Sequence, residues 1–597
     1  MFFAGFVLAI IFLSAGGCRG LFSNNDEESP FEQATRTPDF VTEDGRPKLI
    51  MDCAIIGHEW MIAVHGFGLV VDLPGTGGND IHSSIYQTVF DDMNRMGVRD
   101  IRSILACPST AVVAVMGYVR PGIQVDDRFD VQIMLPPDTN TISLRGGRLM
   151  DTRLSERYGV ERTGATLAIA AGPLMVDDVM ATETNNPGGL LRGTVLGGAV
   201  ATQPRSLSLL MRENYESIIM TDRIARAINH RFPLPSPTGL QRGVATAHTS
   251  SLIILDIHPS YANDVPRYVR VIQSIACFET SAQQLQRIER LRAELLHPET
   301  SQHAAFQLEA IGRAGIPPLR EALNSPDIEV RFHAATALAY LGDGSPARVL
   351  AEIARVEPAF RVFALNALSV MRNDLEAEFH LQELLHVPSA ETRYGAFRAL
   401  KNRNPMDQTI RGELLGDPER GGLFWYHGIN SDTAPMVHIT AQRHPEIVLF
   451  GADIFLRQPF VLDAGPLILV NGQTSNEVIV TKLATRGGID ERRRVSNRLD
   501  EVIRAVADLG GTYPDVVQML RQADMMGVLS CRLEIDCLPE PNRIFRRSGS
   551  PESDWVYEEE EPLRTFWDRI NPRNIFAPNP GERSSDFRGS VNTSSRD

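Results

Sequence analysis

A short pattern, R-x-x-A-x-x-A-L, recurs three times near the middle of this chain and constrains its fold more than any other feature. The copies begin at Arg331, Arg361 and Arg393, at intervals of 30 and 32 residues. The two alanines of each copy are three residues apart and therefore share one helix face, where small side chains let a second helix approach closely. Each copy follows a proline, a residue common in the first turn of a helix: Pro326, Pro358 and Pro388. The pattern predicts a stack of helical units.

This pattern resembles HEAT repeats, with units somewhat shorter than the usual ~40 residues. Alanine, leucine and arginine dominate from about residue 295 to about residue 405, while glycine becomes scarce. We therefore expect a helical solenoid over residues 295–410. Solenoids bind partners on extended surfaces and seldom catalyse reactions.

The regions on both sides of the repeats, residues 46–294 and 411–540, have a different texture. Short apolar runs alternate there with glycine and proline, which is typical of strands and turns. Helical spacing of apolar residues also predicts helices at HSSIYQTVFDDMNRMG and at MTDRIARAINHRF, the latter capped by Thr221 or Asp222. A closing helix pair is predicted from Val495 to Leu509 and from Pro514 to Gly527. Together these elements indicate an α+β fold interrupted by the helical solenoid.

Both ends of the chain have the composition of processed or disordered segments. The apolar stretch Phe2 to Leu13 is too short to span a bilayer and fits an export signal over residues 1–18. Small residues before Cys18 resemble a bacterial lipobox, in which that cysteine is acylated; the alternative is a simple cleaved signal. Residues 19–45 indicate a flexible linker, and residues 541–597 a disordered acidic and polar tail.

Export would place the chain in an oxidising compartment, where disulfides form. Five cysteines follow Cys18, so at least one stays unpaired within the chain. Their pairing cannot be deduced from the sequence.

Charge and motifs argue against nucleic-acid binding and against catalysis. The net charge of -15 at pH 7 would repel a phosphate backbone. The sequence has no C-x-x-C pair, no phosphate-binding G-x-x-x-x-G-K-[ST] and no G-x-S-x-G elbow. His58-Glu59 lacks a second histidine at the zinc-binding spacing, because that position is Ile62. We therefore predict no catalytic, cofactor or metal site and no enzymatic activity.

The stretch HGFGLVVDLPGTGGND, residues 65–80, is rich in glycine and could be taken for a phosphate-binding loop. No lysine lies near it, and Val71 stands where a dinucleotide-binding fingerprint needs its third glycine. The alternative is a buried strand, Leu69 to Leu73, framed by positions that need positive φ or a close backbone approach. We interpret the following glycines as a structural turn and assembly motif: Gly66, Gly68, Gly75, Gly77, Gly146 and Gly147.

Several segments in order along the chain resemble bacterial flagellar P-ring proteins. HGFGLVVDLPGTGGND is similar to that family's G-[YF]-G-L-V-V-G-L-x-G-T-G-D, and SLRGGRLMDTRL, residues 143–154, to its SLRGGTLLMTPL. Residues 214–232 resemble its D-F-T-T-A-x-x-I-A-x-A-I-N segment, and residues 499–535 its closing helix pair. The resemblance covers about 46–290 and 430–537, with the helical repeats as an insertion that the family normally lacks.

The resemblance implies a structural role without a cofactor. P-ring proteins assemble into a homo-oligomeric periplasmic ring around the flagellar rod, associate with peptidoglycan and join the L ring. The expected partners are thus other copies of the chain, rod and L-ring proteins and peptidoglycan, and acylated Cys18 would add an outer-membrane lipid anchor. The alternative is an exported HEAT-repeat envelope lipoprotein that uses the same fold as a scaffold with no flagellar role. We expect the repeats to contact peptidoglycan, the outer membrane or another motor protein.

Overall fold

The structure is a computed structural model that covers most of the chain between residues 42 and 547. It describes residues 42, 45–58, 60–78, 84–95, 97–136, 139–158, 162–177, 189–234, 242–418, 422–473, 476–484 and 488–547. The expected signal peptide with Cys18, nearly all of the expected linker and residues 548–597 lie outside these ranges. Among the residues described, no helix has the length and apolar character needed to cross a membrane.

The N-terminal region alternates strands with a few helices, as its apolar runs predict. In chain order its elements are α1 (Ile50–Cys53), β1 (Ala54–Gly57), β2 (Ile62–Val71), α2 (Ser84–Arg95), α3 (Ile101–Leu105), β3 (Ala111–Val119), β4 (Arg128–Met134), β5 (Arg148–Tyr158), β6 (Arg162–Pro173), β7 (Met175–Val176), β8 (Arg192–Ala201), β9 (Leu207–Met211), α4 (Ile218–Arg231), β10 (Pro233–Leu234), β11 (Arg242–Gly243), β12 (Ala245–Ala247), β13 (Leu252–Leu255) and α5 (Val265–Gln273).

Six of these strands close into an antiparallel barrel, in the order β4, β3, β2, β5, β6 and β8, with β8 paired back to β4. Successive side chains of a strand point to opposite faces. Val113 and Val115 of β3 therefore fill the barrel, whereas Val112 packs beneath α2 and α3 on the outside. The helix predicted within HSSIYQTVFDDMNRMG is confirmed as α2, which buries Tyr86 and Val89 against the barrel.

A second antiparallel sheet, in the order β1, β9, β13 and β12, lies beside the barrel and packs against α4 and α5. The predicted cap of α4 is wrong, because the helix starts after Ser217 rather than at Thr221 or Asp222. Met220 lies in the added turn and is fully buried. The hydroxyl of Thr221 donates instead to the carbonyl oxygen of Ser217, 3.2 Å away, so it bonds within the first turn.

Residues 281–403, all of which the structure describes, form the helical region. Its helices are α6 (Ser281–Leu295), α7 (Pro298–Ile311), α8 (Ile316–Ala322), α9 (Ile328–Tyr340), α10 (Ala347–Val356), α11 (Arg361–Val370), α12 (Leu375–Leu384) and α13 (Ala390–Arg403). The three copies of the repeat pattern lie on α9, α11 and α13, and their alanines and leucines are at most 4% exposed. The helices begin earlier than residue 295, because the mostly polar α6 packs on α7 through Leu291 and Leu295.

The C-terminal region returns to strands and ends with a helix pair. Its elements are β14 (Glu413–Leu415), β15 (Phe424–Ile429), β16 (Met436–Ile439), β17 (Glu446–Phe450), β18 (Phe460–Ala464), β19 (Ile468–Gly472), β20 (Glu477–Lys482), β21 (Glu491–Ser496), α14 (Leu499–Asp508), α15 (Tyr513–Met525) and β22 (Arg532–Ile535). The prediction that the first helix starts at Val495 is wrong by four residues, because Val495 lies in β21 and pairs there with Val478 of β20.

The C-terminal strands form a mixed sheet, in the order β14, β15, β17, β16 and β22, and an antiparallel meander, β18 to β21. The mixed sheet is covered on both faces. Along β17, Ile447 and Leu449 join the hydrophobic core of the barrel, whereas Val448 and Phe450 join the core of the repeat helices. The barrel and the C-terminal region thus share one core although the repeats separate them in sequence.

The chain continues beyond β22 along the repeat helices. Arg543 contacts Glu391 at the start of α13, with 2.8 Å between Nη1 and Oε2, and Arg547 contacts Glu329 of α9, with 2.7 Å between Nε and Oε2. Phe545 packs on Phe360 with ring centroids 4.6 Å apart. Residues 541–547, which the sequence assigned to the tail, are therefore held against the helical region.

Candidate functional site

Gly66 and Gly68 lie on β2, where its register against β5 is irregular. A Cβ on Gly66 would stand 2.3 Å from the carbonyl oxygen of Arg153. A Cβ on Gly68 would stand 2.2 Å from Oγ1 of Thr152. Both separations are far below a normal contact, so the barrel closes around bare backbone at this point.

The other glycines of the predicted motif form turns beside the barrel. Gly75 has a φ of +80° and Gly146 a φ of +75°, a conformation that side chains with a Cβ rarely adopt. A Cβ on Gly77 would meet the carbonyl oxygen of Thr110 at 2.3 Å. On Gly147 it would meet Cγ1 of Val70 at 2.5 Å. Packing and turn geometry within one chain account for these glycines, and their role in assembly stays a prediction.

The barrel, α13 and the mixed sheet meet around a cleft of about 990 Å³. The barrel contributes basic and small side chains, and α13 contributes Arg398, Lys401 and Asn402. The sheet side contributes Trp425 and His444. Residues from all three parts of the chain form the wall of this cleft, so we take it as the candidate functional site.

Glu446, the first residue of β17, lies fully buried at the base of this wall. Its Oε1 accepts a hydrogen bond from the hydroxyl of Tyr394 at 3.0 Å. Its Oε2 contacts Nζ of Lys401 and lies 3.4 Å from Nη1 of Arg398. The side chains of Lys401 and Arg398 are 19% and 21% exposed, so both cations also face the cleft.

Strand alternation places two histidines beside this carboxylate. His427 of β15 holds its Nδ1 2.8 Å from the carbonyl oxygen of Ile410, to which it donates, so its Nε2 is free to accept from Nζ of Lys401 at 3.1 Å. The ring of His438 stacks on Tyr394 with centroids 3.6 Å apart. Its Nε2 accepts the backbone N–H of Cys537 at 3.1 Å.

The electrostatics of the cluster follow from burial and from the two cations. Burial raises the pKa of Glu446, but the charges of Arg398 and Lys401 outweigh it and lower the value to about 2. Burial lowers the pKa of Lys401, and Glu446 opposes that shift. Burial also lowers the pKa of His427 to about 4 and that of His438 to about 3. At neutral pH the cluster therefore holds a charged carboxylate and neutral imidazoles.

A second junction ties the barrel to the mixed sheet. The carboxylate of Asp130 on β4 accepts the backbone N–H of Gly197 at 2.7 Å and that of Arg443 at 2.6 Å. Burial raises the pKa of Asp130, and the two backbone N–H groups oppose that shift. One side chain thus bonds the barrel and the turn before β17 together.

These groups form a joint between parts of the chain. Each titratable side chain of the Glu446 cluster has a polar partner in the arrangement described. Among the described residues, no group of three or more His, Cys, Asp or Glu could hold a metal ion. The cleft wall can accept an anionic or hydrogen-bonding group through the exposed parts of Arg398 and Lys401.

Sequence reasoning missed this cluster. Its members come from α13, β15, β16 and β17 and lie up to 52 residues apart in sequence, and none of them forms a motif. One signal was available: Lys401 is one of three lysines in the chain, and it directly follows the third repeat copy. Glu446 and His438 lie on the same face of the mixed sheet. This follows from the register of β16 against β17, which only the structure gives.

Comparison with known proteins matches the strand-rich N-terminal region and the helical repeats to two different families. Residues 50–288 match the family model of the flagellar P-ring protein, and residues 288–369 match that of HEAT repeats. The first match takes in the barrel, the second sheet and α5; the second begins within α6 and reaches α11. The resemblance to both families is confirmed, and so is the α+β fold with a helical region after the barrel. The resemblance of residues 430–537 lies outside both matches and stays a prediction.

Three curated relatives illustrate the distance of the match. The flagellar P-ring protein of Geobacter sulfurreducens is 26% identical over 216 residues, 34% of this chain and 54% of the relative. That of Anaeromyxobacter dehalogenans is 25% identical over 241 residues, 38% of this chain and 58% of the relative. That of Chromohalobacter salexigens is 28% identical over 228 residues, 35% of this chain and 56% of the relative. The chain therefore spans about half the length of the curated relatives that it matches.

Proposed function

From this likeness to flagellar P-ring proteins, we propose that the chain is a structural subunit of a P-ring assembly of the flagellar basal body. The observation that carries the proposal is the match of residues 50–288, a range that contains the whole closed barrel. In this proposal the subunit lies in the periplasm and surrounds the rod. Copies associate head to tail into a ring, which requires two complementary surfaces that close by rotation.

The proposal includes the partners that the family resemblance implies. These are further copies of the chain, rod and L-ring proteins and peptidoglycan, and acylation of Cys18 would add an anchor in the outer membrane. The role is structural and includes no cofactor or catalysed reaction. The buried joints at Glu446 and Asp130 support such a role, because they hold three parts of the chain in one fixed arrangement.

A second candidate is an envelope scaffold with no flagellar role. It is favoured by the helical repeats, which lie outside the P-ring match and are packed into the centre of the fold. A genome that encodes this chain without rod and L-ring genes would favour the scaffold over the ring.

Quantitative mass spectrometry of purified basal bodies tests the first candidate. We expect the chain to be present in many copies per basal body, in a fixed ratio to the L-ring protein. Its absence from intact basal bodies of cells that express it would contradict the proposal and favour the scaffold.

A further inference from the structure

Two buried cysteines face each other where the N-terminal segment enters the fold. Cys53 ends α1, and Cys277 follows α5 by four residues. The thiol of Cys277 donates to the sulfur of Cys53, with 3.6 Å between the two Sγ atoms. The two residues are 0% and 3% exposed, so the thiols are out of reach of solvent in the finished fold.

The backbones around both cysteines are fixed by hydrogen bonds. Ile50 N–H donates to the carbonyl oxygen of Ile275, and Cys277 N–H donates to that of Lys48, both at 2.9 Å. Leu49 and Ala276 form an antiparallel bridge between these bonds. The two sulfurs therefore meet across a short paired segment rather than between loose loops.

We propose that Cys53 and Cys277 form a disulfide bond in the mature protein. Each sulfur needs to move by about 0.8 Å to reach the ~2.05 Å of an S–S bond, a shift that side-chain rotation allows. The proposal rests on the export that the proposed function includes, because an oxidising compartment is needed for such a bond to persist.

The reaction requires a disulfide-bearing oxidant of the cell envelope. The thiolate of one cysteine attacks the oxidant's disulfide and forms a mixed disulfide, and the second thiolate then attacks the sulfur of the first cysteine. The Cys53–Cys277 bond forms, the oxidant leaves as a dithiol, and the two cysteine thiols lose their protons. Because both sulfurs are buried afterwards, this exchange takes place during folding, before α1 packs on α5.

The bond would hold the N-terminal segment, with α1 and β1, to the segment that follows α5. β1 directly follows Cys53, has four residues and pairs with β9 alone among the described strands, at the edge of its sheet. Tension on the N-terminal segment reaches α1 and β1 first. The disulfide passes that tension into α5, whose Tyr268 and Val271 are fully buried in the core. The N-terminus is where a lipid-anchored form would be pulled.

Alkylation and peptide mapping of the full chain, purified from the cell envelope without reductant, test the proposal. The protein is denatured, treated with iodoacetamide and digested. We expect one cross-linked peptide that contains Cys53 and Cys277, and its disappearance after treatment with dithiothreitol. Alkylation of both cysteines without reductant would overturn the proposal. This outcome is independent of the composition of basal bodies, which decides the proposed function separately.

Thermal unfolding gives a second measurement. Dithiothreitol should lower the Tm of the wild type by about 4 °C or more, because the bond closes a loop of more than two hundred residues. The Cys53→Ser/Cys277→Ser variant should lose this response to the reductant, whereas the control Cys107→Ser should keep it. An equal response in all three proteins would count against the bond.

Discussion

Glu446 shows how a single buried charge can hold two parts of a chain, the repeat helices and the mixed sheet, in place. Its carboxylate accepts a hydrogen bond from a tyrosine hydroxyl of α13 and forms ion pairs with two cations of the same helix. The strand that carries Glu446, β17, belongs to the mixed sheet. Removing one partner of a buried pair leaves the other charges without compensation, which typically costs several kcal/mol.

We predict that Glu446→Gln lowers the free energy of unfolding by about 3 kcal/mol or more. The amide keeps the shape of the carboxylate but leaves Lys401 and Arg398 without their counter-charge. Urea denaturation at pH 7.5 measures the change. The matched control is Glu477→Gln, whose carboxylate is 48% exposed and pairs with Arg494 at 3.7 Å; it should cost under about 1 kcal/mol. Equal stability of the two variants would contradict the role of Glu446.

Adding Lys401→Met to Glu446→Gln should restore part of the loss. The double variant no longer holds a largely buried cation without a counter-charge at position 401, so it should be more stable than Glu446→Gln alone.

The burial of His438 should make the stability of the protein depend on pH in the acid range. Burial lowers its pKa to about 3, so its contribution to stability is complete above its ordinary value near 6.5 and is lost as the pH falls toward the folded value. For a histidine with these two pKa values, proton linkage lowers the free energy of unfolding by about 2 kcal/mol when the pH falls from 7.5 to 5.

We therefore expect stability to fall less in His438→Gln than in the wild type over this pH range, by about 2 kcal/mol. The difference between the two proteins is the quantity to measure, because buried carboxyls with raised pKa values, such as Asp130 and Asp515, shift the total in the opposite direction. Parallel pH profiles of the two proteins would show that His438 does not titrate as described.

At the scale of elements, β2 determines how the barrel closes. Gly66 pairs with Val115 of β3 on one side and meets the backbone of β5 on the other. The Cβ of an alanine would overlap a carbonyl oxygen, which cannot move aside as the end of a flexible side chain can.

We predict that Gly66→Ala lowers the free energy of unfolding by about 1–3 kcal/mol or more. The control is Gly428→Ala in β15, where the nearest atom to a new Cβ is Oη of Tyr426 at 3.6 Å. That change should have an effect of about 0.5 kcal/mol at most. Thermal or urea unfolding of both variants provides the comparison, and a neutral Gly66→Ala would mean that β5 does not hold the described register.

Elements were predictable from sequence where local spacing determines them. The repeat pattern located α9, α11 and α13, and apolar spacing located α2. Boundaries were missed where tertiary contacts decide: Val495 lies in β21 because it pairs with Val478, and α6 is helical although its surface is mostly polar. The Glu446 joint could not be foreseen, since it depends on strand register between distant segments.

At the scale of the whole molecule, the helical repeats are part of the core and not an attachment to it. They cover Val448 and Phe450 on one face of the mixed sheet and supply both cations of the Glu446 joint. The sequence suggested an insertion, and loops tolerate insertions well. The structure shows that this one has become a structural layer.

Deleting residues 295–410 should therefore yield an insoluble or poorly packed protein, because the mixed sheet loses the cover of one face. Solubility and near-ultraviolet circular dichroism measure this. In contrast, Leu375→Glu/Phe379→Glu on α12 should fold normally, because these side chains are 81% and 57% exposed. A soluble deletion variant that unfolds cooperatively would show that the repeats are a separable module.

We propose that copies of this chain build a ring around the flagellar rod. Cryo-electron tomography with averaging of basal bodies, in cells with and without the gene, tests it most directly. We predict that the periplasmic ring is missing from the deletion strain and returns when the full chain is expressed. An unchanged ring in cells that lack the chain would contradict the claim.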